Sequence, residues 1–136
     1  TGRGIIHSEM PAMSGGKLLG FQLWINMPAK LKKKKPEYIY IKSKELGTHS
    51  DNEKTIKVIA GKYANVEGPE KNHNVEPIYF HVILKEGKEV KCEVPSGHNS
   101  FVYILKLRCN VIFVNPEIAV FFKIINSIRT RKIIGM

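Results

Sequence analysis

Apolar and polar positions alternate with a period of two over several short stretches of this chain, the mark of half-buried strands. Within residues 17–27 (KLLGFQLWINM), Phe21, Leu23 and Ile25 share one face. Residues 37–42 (EYIYIK) interleave aromatic and β-branched side chains. Residues 55–60 (TIKVIA) put Ile56 and Val58 on one face and stop at Gly61. Residues 77–84 (PIYFHVIL) form a near-continuous apolar run. Residues 5–9, 89–94, 100–107 and 111–114 complete the predicted strands.

Turn chemistry separates these runs. Ser14-Gly15-Gly16 reads as a turn, and 47–53 and 68–74 as polar loops. Glu86-Gly87-Lys88 reads as a tight hairpin turn. Many short strands broken by Gly and Pro predict an all-β sandwich or barrel. Residues 118–128 fit a buried helix or a strand equally well, because periodicity does not separate the two. The tail Arg129-Thr130-Arg131-Lys132 is basic and expected to be exposed.

Composition narrows the picture a little. A length of 136 residues, 43% of them hydrophobic and 25% charged, fits one globular domain. The formal net charge of +10 draws nucleic acid, anionic surfaces or acidic proteins without choosing among them. Lys30, Lys32, Lys33, Lys34 and Lys35 cluster before Pro36. They read first as a solvated loop between strands, and second as a nucleic-acid or acidic-protein contact. No recognised DNA-binding motif or aromatic stacking platform accompanies them in the sequence. Cys92 and Cys109 lack metal-type spacing and read as reduced, buried or half-buried thiols, which points to the cytoplasm. No signal peptide is visible. The apolar runs fall short of the roughly 20 residues that cross a bilayer, so no membrane partner is expected. The chain opens on Thr1 rather than Met, as a processed or truncated product would. Nucleophile motifs, a P-loop and a dinucleotide fingerprint are absent.

The candidate chemistry lies near the start. His7 and Glu9 stand two apart in a β-prone run, which places both side chains on one face of a strand and within reach of one metal ion. A histidine, a carboxylate and open positions suit Fe(II), Mn(II) or Ni(II) better than structural zinc. Two ligands are too few for a catalytic centre, and by spacing alone a surface pair is the plainer reading. His81, in an apolar run, reads as structural. His49, His73 and His98 read as solvated, and Trp24 as core.

The run TGRGIIHSEMP, followed by Phe21-Gln22-Leu23-Trp24-Ile25-Asn26, resembles the pirin family of two-domain bicupins. The likeness continues through Lys35-Pro36-Glu37-Tyr38, Val58-Ile59-Ala60-Gly61, Leu84-Lys85-Glu86-Gly87, Pro95-Ser96-Gly97 and Phe101-Val102-Tyr103, to about residue 105. It implies an iron held by three histidines and a glutamate, two of the histidines coming from an upstream HxH. His7 and Glu9 match the other pair, with Glu9 also a candidate catalytic base towards a substrate hydroxyl. No HxH occurs in this sequence.

The implied fold is all-β: cupin-like, jelly-roll partial barrels, completed by dimerisation or strand exchange because a partial barrel bares strand edges. The implied organisation is the end of an N-terminal cupin over 1–30, a lysine-rich linker and loop over 31–54, and a partial C-terminal cupin over 55–136. The family pattern breaks at Leu105-Lys106-Leu107-Arg108-Cys109-Asn110, so a divergent tail is expected from about 106; a reading-frame change near 105 would produce such a break. The implied function is a pirin-like protein with an incomplete site for a divalent metal, Fe(II) by resemblance, acting as a binding or regulatory protein. The alternative is a metal-dependent quercetin 2,3-dioxygenase.

Overall fold

The computed structural model describes residues 2–8, 15, 20–71 and 75–106. The chain divides into two compact units, 1–40 and 41–136. The boundary falls inside the stretch read from sequence as linker and loop.

In the first unit the regular element is one 3₁₀ turn, Ala29–Leu31. Pro28 supplies the fixed φ that starts it, and its carbonyl accepts the Leu31 N–H at 2.8 Å. The turn continues through Lys34 N–H donating to Leu31 O at 3.1 Å. The Arg3 N–H donates to Lys34 O at 2.9 Å and ties residues 2–4 to that turn. Gly2 adopts φ +48°, and a Cβ there would run into the Lys34 carbonyl, so the approach requires glycine.

The second unit is built of strands. A second 3₁₀ turn, Ser43–Glu45, precedes β1 (Gly47–Ser50) and β2 (Lys54–Ala60). β3 (Lys62–Tyr63), β4 (Val66–Glu67) and β5 (Tyr79–Leu84) follow. An antiparallel sheet runs β1-β2-β5, and β3-β4 form a separate hairpin. In β2 and β5 every second residue is buried: Ile56, Val58 and Ala60 in one, Phe80, Val82 and Leu84 in the other. The register sets Ile56 against Val82 and Val58 against Phe80, so both apolar rows fall on one face. Tyr63, Val66, Ile78, Val90, Cys92 and Val94 pack on that row.

The register slips between Val58 and Ala60, leaving Ile59 in a bulge. There the Glu70 N–H donates to Ile59 O at 3.2 Å and Ala60 bridges Glu70. Gly61, at φ +78°, turns the chain into β3, and Gly68 N–H donates back to Gly61 O at 2.9 Å. The β3-β4 hairpin thus lies over the end of β2.

Several expectations are corrected. Residues 47–50 were expected to be loop and form β1. Hydrophobicity conceals this strand, because Gly-Thr-His-Ser is held by ladder bonds to β2 and not by an apolar row. Conversely, 5–8, 20–27, 37–42, 89–94 and 100–106 carry strand-like composition but no ladder. Alternation describes which side is apolar; a strand also needs a neighbour for its N–H and C=O groups. Residues 89–94 keep the alternation without the ladder, with Val90, Cys92 and Val94 against the core and Lys91 and Glu93 exposed. The turn at 85–88 is present, closed by Lys88 N–H to Lys85 O at 3.2 Å with Gly87 at φ +71°, but no hairpin partner follows. The expectations for 107–136, including 111–114, 118–128, the basic tail and Cys109, lie outside the described residues, as does His73.

The architecture among the described residues is therefore open antiparallel sheet with almost no helix, and none of the helices is long and apolar enough to cross a membrane.

Candidate functional site

Glu9 lies outside the described residues, so its face relative to His7 does too. His7 is exposed, on a segment outside any ladder, between exposed Ile6 and exposed Ser8. Among the described residues no three His, Cys, Asp or Glu side chains converge as a metal site.

The five clustered lysines sit where the sequence expects them, on a loop. Lys30, Lys32, Lys33, Lys34 and Lys35 are exposed around the 3₁₀ turn, while Leu31 and Pro36 are half-buried. Trp24 is a correction: expected in a core, it is 85% exposed, and its indole N–H donates to Gln22 Oε1 at 3.2 Å. Tyr38 and Tyr40, three and five residues after Lys35, are exposed as well.

In the second unit, an open depression of about 1090 Å³ lies beside the sheet end, floored by Tyr63, Ile78, Phe80 and Cys92. Glu67, Glu93, Lys91 and His98 are among its lining residues. The sequence reading missed it; the readable signals were Gly61 and Gly68, which let the β3-β4 hairpin fold over β2. Cys92 is a free, half-buried thiol, as expected for it. Burial pushes its pKa up to about 12, so it is a neutral thiol at physiological pH and a poor nucleophile. Burial also raises the Tyr63 and Tyr79 phenols.

His49, read as solvated loop, instead stands half-buried on β1. Its ring meets Tyr63 edge-on at 5.3 Å, and Nε2 lies 3.3 Å from Asp51 Oδ2. Asp51 closes the β1-β2 turn: Oδ1 accepts the Glu53 N–H at 2.8 Å and the Lys54 N–H at 2.9 Å, and Lys54 Nζ is 3.0 Å from Oδ2. The Glu53 N–H, then the Lys54 ammonium, hold the Asp51 carboxyl well below the usual carboxylate range. A folded-state pKa below the unfolded one gives stability that is complete above the ordinary value of 3.8 and lost as pH falls towards the folded value. Glu53, lowered by Lys88 at 2.8 Å, acts in the same direction. Acid unfolding followed by circular dichroism should therefore begin below about pH 4. In Asp51→Ala the slope should shrink, and in Asp51→Asn the turn should survive at neutral pH through the retained amide oxygen. An unchanged acid limb in Asp51→Ala would refute this.

Set beside known proteins, the chain matches a set of curated relatives. It is 34% identical over 113 residues to a pirin-like protein of Caulobacter vibrioides, covering 82% of this chain and 41% of the relative. It is 31% identical over 118 residues to the pirin of Rattus norvegicus, covering 86% and 38% respectively. A Pseudomonas aeruginosa protein named "Putative quercetin 2,3-dioxygenase" is 34% identical over 106 residues, covering 74% and 37%. No family model matches the chain, and no solved structure matches it significantly. The sequence match thus sets this strand-built chain beside pirin and pirin-like proteins. The chain belongs to the pirin family. It spans 32–41% of the length of the curated relatives it matches.

Proposed function

We propose that this chain is a cupin-type pirin homologue that acts as a binding or regulatory protein, with His7 and Glu9 as the remnant of a divalent-metal site, Fe(II) by resemblance. The reading is supported by the match to pirins over about four-fifths of the chain and by the resemblance of the GRGIIHSEMP run. It includes a cytoplasmic setting and partial barrels completed by a second copy. β1 and β5 are the outer strands of the described sheet and offer edges for that pairing.

Two donors hold an ion weakly, because most of its coordination sphere stays water. Metal analysis of the purified chain should find less than one iron per chain, falling further in His7→Ala, with no flavonol turnover. Iron content indifferent to His7→Ala would end the remnant reading. The second reading is a metal-dependent quercetin 2,3-dioxygenase with Glu9 as base, favoured by the names of the Pseudomonas aeruginosa and Vibrio cholerae relatives. Stoichiometric iron and flavonol ring-opening that vanish in His7→Ala would establish it in place of the first. Light scattering should give a dimer at micromolar concentration; a monodisperse monomer would remove the second copy.

A further inference from the structure

We infer that the first unit carries a binding surface for single-stranded nucleic acid, formed by the lysine turn and the exposed aromatic side chains of the same unit. This names the partner of the binding role proposed above and rests on that reading, but it uses neither His7 nor Glu9.

The electrostatic half is the turn at 29–35. Five exposed lysines fall within six residues around one 3₁₀ turn. Arg3 is drawn to the same place by its backbone bond to Lys34. Against these six cations the described residues of the unit set one carboxylate, Glu37. A concentration of positive charge of this kind neutralises phosphates whatever the base sequence.

The second half is aromatic. Trp24 is 85%, Tyr38 66% and Tyr40 74% exposed. Large aromatic faces left in water favour a flat, apolar partner. Tyr38 lies within roughly 11 Å of Lys35 by chain length alone. Tyr38 and Tyr40 are two residues apart, which keeps their Cα atoms within roughly 7 Å of each other. Unpaired bases offer π-faces to stack on such rings, whereas a duplex hides them. Duplex reading by a helix has no element here, since the described residues hold only three-residue 3₁₀ turns. An anionic membrane would also accept lysine and tryptophan, but it recruits amphipathic helices, and none is described.

The test is fluorescence polarisation of the full chain with a labelled oligothymidylate. The comparators are the matching duplex, polyphosphate and phosphatidylserine vesicles. Binding should saturate at micromolar levels near 50 mM salt. If four phosphates are neutralised, a rise to about 200 mM should weaken it roughly 50-fold. Changing Lys32, Lys33, Lys34 and Lys35 together to Gln should abolish binding. Trp24→Ala and the double change Tyr38→Ala/Tyr40→Ala should each weaken it at least about five-fold for the oligothymidylate. The same aromatic changes should leave polyphosphate binding unmoved. His7→Ala should bind as the unaltered chain does, so the metal reading and this one fail separately. Unchanged circular dichroism of each variant keeps misfolding out of the comparison.

Absence of saturable binding below about 100 µM at low salt would overturn the inference. So would aromatic variants that bind oligothymidylate normally, or tighter binding to duplex or vesicles than to the single strand.

Discussion

Phe80→Ala is expected to lower the stability of the second unit by about 3–5 kcal/mol, a large part of what a small domain possesses. Phe80 is the largest side chain of a core whose other buried members are Ile56, Val58, Val82 and Leu84. Its ring lies 5.9 Å from that of Tyr63 at 79°, an edge-to-face contact that alanine removes along with the buried area. Few other buried residues surround it, so the vacancy has little to collapse onto it. Urea unfolding followed by far-UV circular dichroism measures the loss. Ile83→Ala is the internal comparison. Ile83 lies on the opposite, half-buried face of β5, paired with Thr55, and should cost clearly less. Equal losses at 80 and 83 would mean that the buried row does not carry the sheet.

Gly68→Ala should be comparably damaging for a different reason. Gly68 is buried, and a Cβ there would lie 2.6 Å from both the carbon and the oxygen of the Ile59 carbonyl and 2.7 Å from Ala60 N. These are main-chain atoms of the bulge, and no rotamer change moves them aside. Typical overpacking costs about 1–3 kcal/mol, and a clash with backbone belongs at or above the top of that range. The displaced segment would also strain the Gly68-to-Gly61 hydrogen bond that holds the hairpin over β2. Gly87→Ala makes the contrast. Its Cβ would meet nothing within 4 Å, leaving only the left-handed backbone penalty of about 1–2 kcal/mol. Thermal midpoints of the two variants should differ in that order, and a Gly68→Ala protein as stable as Gly87→Ala would contradict the packing described.

The difference between what was readable and what was not follows from where the information resides. β2 and β5 could be read because burial of Ile56, Val58, Phe80 and Val82 leaves an apolar imprint on every second position. β1 could not, because its hold on β2 is made by main-chain groups that every residue possesses. The Ser50 and Thr55 hydroxyls, 2.9 Å apart across that ladder, look like loop chemistry in a linear string. Trp24 shows the converse failure: a bulky ring in an apolar run was assigned inside, yet composition says nothing about whether a neighbour arrives to cover it. For the candidate site, the two-residue spacing suggested His7 and Glu9 and the resemblance gave the pair its weight, while Glu9 lies outside the described residues. His49 escaped notice because its partners, Asp51 and Tyr63, come from the turn and from β3. The lysine turn was visible as charge, while the aromatic exposure beside it was not.

The two halves of the three-stranded sheet differ in how far apart their partners lie along the chain. β1 and β2 are joined by the short loop at 51–53, whereas β5 reaches β2 only after the whole stretch from Gly61 to Ile78. Closing the short loop sacrifices less chain entropy than closing the long one. During folding, the polar β1-β2 hairpin can thus form ahead of the apolar seam, and until β5 docks the nascent β2 presents Ile56 and Val58 to water.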